Sequence, residues 1–326
     1  MAPTNLQEQL VKYLTDAHSI EQQALAQLKT APKIAGDPQI AQAFSDHLIE
    51  TEGHERLVSE RLAAYGAKPS TIKDVAGSLT GKGFGAFAMA QPDTPGKLVV
   101  HAFSYEHMEE AAYDFLAQVA ERASDEETAQ TAREIELQER GMGDRLAGCF
   151  DRAVNAALNE VGPDDLQAQL DKYLTDAHAI EAQALELLEK GPQLAGAGEL
   201  ATAFDDHRLE TQEHQRLVEA RLQSRGDAPS KLKDAVLRLG ALNWGGFFQA
   251  QPDTPAKLAA FAFAFEHLEI GSYEMLRRVA ARAGDEETAR IAEAILAQEH
   301  AAADRIRSLF EVALDVSLHE QGIAVR

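Results

Sequence analysis

The chain has 326 residues and a mass of 35.4 kDa, with 45% hydrophobic and 26% charged residues, which excludes a disordered tail and leaves room for two domains with a core each. Its 53 acidic residues against 31 Lys and Arg give a formal charge of -22, which repels phosphate backbones and anionic membrane surfaces, so neither nucleic acid nor membrane is an expected partner. The single cysteine, Cys149, excludes a disulfide framework or a cysteine-based metal site within one chain, and with no signal-like N-terminus and no long apolar run, a cytoplasmic location is expected.

The first predicted helix covers residues 6 to about 28, with Leu10, Leu14, Ala17, Ala24 and Leu28 in the three-then-four spacing of one buried stripe. A second covers about 39–65 and stops at Gly66. Residues 67–91 are richer in glycine, and a short extra helix is expected around 72–79. The third helix starts at Thr94-Pro95, a capping residue followed by proline at the first helical position, and continues to about Arg122. The fourth opens on Ser124-Asp125-Glu126-Glu127, a capping box with acids in the first turn, and runs past Leu146. No segment shows sustained β alternation, so the expected class is all-α, a four-helix bundle.

After Gly162-Pro163-Asp164 the chain repeats itself. Lys12-Tyr13-Leu14-Thr15-Asp16-Ala17-His18 returns as Lys172 to His178, and Gln91-Pro92-Asp93-Thr94-Pro95 returns as Gln251 to Pro255, both at an offset of 160 (172 − 12 and 251 − 91). The expected domains are therefore 1–160 and 161–326, two tandem bundles forming an intramolecular pseudo-dimer. Drifted pairs such as Glu8 and Ala168 make the residues kept in both copies more telling.

The stripes that should face the core carry acids. Glu21 lies on the first, and Glu50 with His54 four residues on lies on the second. Glu106, Glu109 and Tyr113 share the third, and Glu139 lies on the fourth. The second copy repeats them as Glu181, Glu210, His214, Glu266, Glu269, Tyr273 and Glu299. Five buried carboxylates in one bundle cannot all stay ionised without compensating positive charge. A pair of divalent metals in each half supplies it, and oxygen donors with one or two imidazoles suit iron or manganese. His47, a turn from Glu50, is expected to hold a carboxylate by its ring N–H rather than to bind metal. His18 and His107 fall off the stripes and read as surface or inter-half residues. Tyr113 and Tyr273 are the candidate redox-active side chains, the competing reading being a core tyrosine bonded to a ligand carboxylate.

The segments Thr15-Asp16-Ala17-His18-Ser19-Ile20-Glu21, His47-Leu48-Ile49-Glu50-Thr51 and Glu106-His107-Met108-Glu109 followed by Tyr113 resemble the ferritin-like YciE/YciF family, in tandem and over almost the whole chain. The resemblance implies a ferritin-like bundle, two irons per half and a ferroxidase or stress-related role, with oxygen or peroxide as the reaction partner. The chain departs from the usual ferritin-like ligand pattern. Glu50 and His54 are spaced by four rather than three, and Met142 and Ala302 stand three residues after Glu139 and Glu299, so a second histidine is missing from its usual place. Two function classes fit these residues. One is an iron-oxidising or manganese peroxide-disproportionating centre, and the other is a metal-free interaction protein with a hydrogen-bonded polar core.

Overall fold

A computed structural model describes residues 3–69, 94–161, 165–196, 198–227 and 251–324, and helix is the regular structure found in them. The extra helix expected around 72–79 and the junction at 162–164 lie outside the described residues. The first copy consists of α1 (Leu6–Leu28), α2 (Ala31–Ile34), α3 (Pro38–Ala64), α4 (Thr94–Arg122), α5 (Glu126–Ala147) and α6 (Phe150–Val161). The second consists of α7 (Leu166–Ala195), α8 (Glu199–Ser224), α9 (Thr254–Arg282), α10 (Glu286–Ser308) and α11 (Phe310–Glu320). The chain divides into two compact units, Met1–Glu160 with Gln321–Arg326, and Val161–Glu320.

In the first unit α1 packs on α3 and α4, and α5 packs on the same two, so each long helix touches two neighbours around one core. Chain order reverses across each pair. His18 and Glu21 of α1 meet Glu55 and His54 of α3, while His54 and Arg61 of α3 meet Gln138 and Thr128 of α5. Asp114 and Glu110 of α4 likewise meet Arg133 and Arg140 of α5. Neighbours are thus antiparallel, and α3 and α4, which follow one another in sequence, run the same way. This is the crossover order of a ferritin-like bundle. The second unit pairs α7, α8, α9 and α10 in the same manner.

The stripes of α1, α4 and α5 are buried as their spacing predicts: Leu10, Leu14, Ala17 and Glu21; Ala102, Glu106, Glu109 and Tyr113; Ala132, Ile135, Glu139 and Met142. On α3 the phase differs. The buried positions are Ile40, Phe44, His47, Thr51, His54, Val58 and Leu62, whereas Leu57 is 39% exposed. His18 is also buried and lies 3.0 Å from Glu55, instead of at the surface. The fourth helix ends at Ala147, and a separate amphipathic helix, α6, follows it and buries Phe150, Ala153, Val154 and Ala157.

Asp125, not Ser124, caps α5, accepting hydrogen bonds from the Thr128 amide and hydroxyl. Arg61 on α3 reaches the same carboxylate at 3.1 Å and donates to the Thr128 hydroxyl at 2.8 Å, tying two helix ends together. The second unit repeats this with Arg221, Asp285 and Thr288. Burial would raise the Asp125 carboxyl, but hydrogen bonds from Thr128, Tyr65 and Arg61 outweigh it and hold the group at about 2. Its stabilisation is therefore present above the unfolded value of about 3.9 and is lost as pH falls through about 2. Asp125→Ala should lower unfolding free energy by about 1–2 kcal/mol, read as a lower urea midpoint, and the loss should shrink in strong acid.

Candidate metal centre

Four helices of the first unit aim acids and imidazoles at one buried volume. One donor atom from each of His47, Glu106, Glu109 and Glu139 lies within 4.8 Å of the others, and a second such group is formed by Glu21, His54 and Glu139. Glu139 belongs to both. Its Oε2 lies 3.3 Å from His47 Nε2 and its Oε1 lies 2.7 Å from His54 Nδ1, so the two oxygens face different groups. The second unit reproduces the pair as His207, Glu266, Glu269 and Glu299, and as Glu181, His214 and Glu299. There Glu299 Oε2 lies 3.4 Å from His207 Nε2 and Oε1 lies 2.8 Å from His214 Nδ1.

The imidazoles are oriented from outside. His47 Nδ1 is 2.9 Å from Glu50 Oε2, so it donates its N–H outward and leaves Nε2 facing the carboxylates. His54 Nε2 is 2.6 Å from the side-chain oxygen of Gln138, which leaves Nδ1 facing inward. The Tyr113 hydroxyl donates to Glu21 Oε1 in a short bond, and Tyr273 does the same to Glu181.

The inward atoms lack hydrogen-bond partners. Glu21 Oε2, His47 Nε2, His54 Nδ1, Glu106 Oε2 and both oxygens of Glu109 and of Glu139 are all buried and unsatisfied, and so are their counterparts in the second unit. His47 Nε2 and Glu106 Oε2 approach to 3.0 Å without hydrogen-bond alignment. Close approach without alignment is what donor atoms aimed at a common point produce. A self-contained hydrogen-bond network would satisfy such atoms, because each orphaned buried polar group costs about 1–3 kcal/mol. The residues therefore fit metal ions: these His/Glu groups could hold one ion each, two per unit.

The electrostatics report the same missing positive charge. Burial, with the Glu139 charge added, pushes Glu21 up to about 8 and Glu181 likewise. Burial raises Glu109 and Glu269 well above the carboxylate range and brings Glu106 and Glu266 to about 7. Burial would also raise Glu139, but contacts with His47 and His54 lower it to about 2. Conversely, burial opposes charge on the imidazoles, yet Glu106, Glu139 and Glu50 hold His47 well above the histidine range, and Glu139 and Glu21 hold His54 at about 9.

Of the expected ligands, Glu21, His54, Glu106, Glu109 and Glu139 converge, as do Glu181, His214, Glu266, Glu269 and Glu299. Glu50 and Glu210 do not. Glu50 sits outside His47 and meets Arg145 at 2.6 Å, and Glu210 receives His207 Nδ1 at 3.0 Å. Their inward place is taken by Thr51 and Thr211, whose hydroxyls donate to the carbonyls of His47 and His207 at 2.9 Å and so need no outside partner. His47 and His207 bring a second imidazole to the groups of their units, where α5 and α10 carry none. The seven-residue interval between His47 and His54 places both imidazoles on one face of α3, two helical turns apart.

A family model described as "Domain of unknown function (DUF892)" matches residues 5–159 and again residues 165–318. The chain belongs to the DUF892 family. Each DUF892 repeat spans one set of four long helices and one complete pair of His/Glu groups. No solved structure matches the chain. Among the described residues of this DUF892 protein, no helix is long and apolar enough to cross a membrane.

Proposed function

We propose that each DUF892 repeat is a dinuclear iron centre that oxidises Fe(II) with oxygen or peroxide, in a stress-related role. The observation that carries this reading is the sharing of Glu139, and of Glu299, between two buried donor groups whose inward atoms have no partners. Charge supports it: four carboxylates per unit (Glu21, Glu106, Glu109, Glu139) carry -4, which two divalent ions neutralise with both imidazoles uncharged. Carboxylates with imidazoles are the donors that iron and manganese share, and the resemblance to the YciE/YciF family favours iron. A manganese peroxide-disproportionating centre is the variant that metal analysis separates.

Glu21, His47, His54, Glu106, Glu109 and Glu139 would hold the ions, and two Fe(II) would supply two electrons, enough to take dioxygen to hydrogen peroxide, or hydrogen peroxide to water, with two protons consumed in either case. The chain's own part is positional. Glu139 fixes the distance between the two groups by giving one oxygen to each, while Glu50 and Gln138 keep the lone pairs of His47 and His54 pointed inward. Tyr113 holds Glu21 by its O–H, and its burial excludes water from that side.

The deciding experiment is anaerobic titration of the metal-free protein with Fe(II), followed by oxygen while ferric absorbance is recorded. About four ions per chain, a raised melting temperature and an oxygen-dependent signal are expected. Failure to bind either Fe(II) or Mn(II) would leave the metal-free interaction protein as the better account. Glu50→Ala with Glu210→Ala should keep the number of ions and weaken their binding about 10–100-fold, as expected for residues that orient a ligand. A loss of ions instead would return these two acids to the ligand set.

A further inference from the structure

The core of the first unit contains a small cavity of about 20 Å³ that shares a wall with Glu106. This exceeds the roughly 10–15 Å³ that a single water-sized molecule requires. Its walls are otherwise mainly apolar, formed by Ala24, Leu28, Ala31, Phe44, Leu98 and Ala102, every one of them buried. The polar side chains on the wall are few. The Tyr105 hydroxyl is committed to the Ile20 carbonyl at 3.0 Å, Gln27 lies on the partly exposed side, and Glu106 is only 4% exposed. Six of the nine wall residues offer only apolar surface, which a small apolar molecule matches and which satisfies none of a water's hydrogen bonds.

We propose that this cavity is a dioxygen-binding site of the first unit, lying between the partly exposed face at Gln27 and Tyr105 and the buried carboxylate of Glu106. Its role as the antechamber of the metal centre rests on the function proposed above, but its affinity for dioxygen does not. The matching wall of the second unit has diverged. Leu187, Gly191 and Phe265 stand where the first unit has Gln27, Ala31 and Tyr105. At Gly191 a methyl group would come within 2.9 Å of Phe204 Cδ2, so the Phe204 ring occupies the space that the Ala31 side chain has in the first unit. Pro192 also lies inside the continuous helix α7, where the first unit breaks between α1 and α2.

The test uses dioxygen itself as the probe. The full chain, methyl-labelled and free of iron, is placed under oxygen pressure and paramagnetic relaxation of its methyl groups is recorded by NMR. The methyls of Ala24, Leu28 and Ala102 should relax faster than those of the comparably buried Leu25 and Val100, and faster than the matched Ala184, Leu188 and Ala262. Ala102→Val should abolish the difference, and Ala24→Val does so independently if the first variant folds poorly. In Fe(II) oxidation either variant should raise KM for dioxygen about tenfold with kcat unchanged, the pattern of impaired access. Relaxation no faster than at the reference methyls overturns the inference and leaves the metal reading intact. Faster relaxation in a protein that oxidises no iron upholds the cavity and overturns the iron-oxidation reading.

Discussion

Replacing Glu139 by Gln should halve the metal capacity of the chain, from four ions to two, because this one carboxylate serves both groups of the first unit. Glu139→Gln with Glu299→Gln should abolish tight binding altogether. By contrast, Glu21→Gln touches one group only and should cost a single ion. The contrast between two ions lost and one is what separates a shared carboxylate from a set of independent ligands, and elemental analysis of the reconstituted variants reads it directly. Without metal the same change strands two imidazoles that now lean on Glu139 at 3.3 and 2.7 Å, and breaking a buried pair costs about 3–5 kcal/mol. The metal-free Glu139→Gln protein should therefore melt well below the parent. Equal loss of ions from the Glu21 and Glu139 variants would show that the two groups load as one.

The second large effect is on protons. Metal ions take ionised carboxylates and neutral imidazoles, so every proton held at neutral pH by the empty groups must leave when they fill. Glu21 at about 8, Glu109 well above its usual range, His47 well above its own and His54 at about 9 each hold one at pH 7, while Glu139 at about 2 holds none. Filling one unit should thus release about four protons, with a further fraction from Glu106, which lies at about 7. Since protons compete with metal, affinity should rise with pH through the window from about 7 to 9 and fall steadily on the acid side. Calorimetry of the same titration in buffers of different ionisation enthalpy measures the proton count. Uptake without proton release would mean that the ions sit elsewhere.

Much of this arrangement is readable from residue spacing. On α1, α4 and α5 apolar neighbours define the stripe without ambiguity, with Ala17 and Ala24 on either side of Glu21, Ala102 and Tyr113 on either side of the Glu106–Glu109 pair, and Ile135 and Met142 on either side of Glu139. On α3 they do not. Both 47-50-54 and 47-51-54 are legitimate helical stripes, and the choice between Glu50 and Thr51 depends on partners that lie on other helices. Arg145, arriving from α5, gives Glu50 a place at the edge, while a threonine bonded to its own backbone tolerates the interior. Periodicity carries no knowledge of Arg145, so the acid and its neighbouring histidine exchange roles. Helix α6 is missed for a related reason: Gly148 and Cys149 interrupt the pattern only briefly, and the apolar positions beyond them continue it.

Helix α3 carries both nitrogen donors of the first unit, two turns apart, with ring centres 6.3 Å from one another, and α8 repeats this at 6.4 Å. A single helix is a stiff rod, and its rise per residue is set by backbone hydrogen bonds rather than by side-chain packing. The imidazoles therefore act as two marks on a ruler. A shift of any of the three other long helices would move its acids past that ruler and leave the spacing of the nitrogens unchanged. Any change in the separation of two bound ions must accordingly be absorbed by the carboxylates, whose long side chains can swing, and chiefly by Glu139, which alone spans the gap.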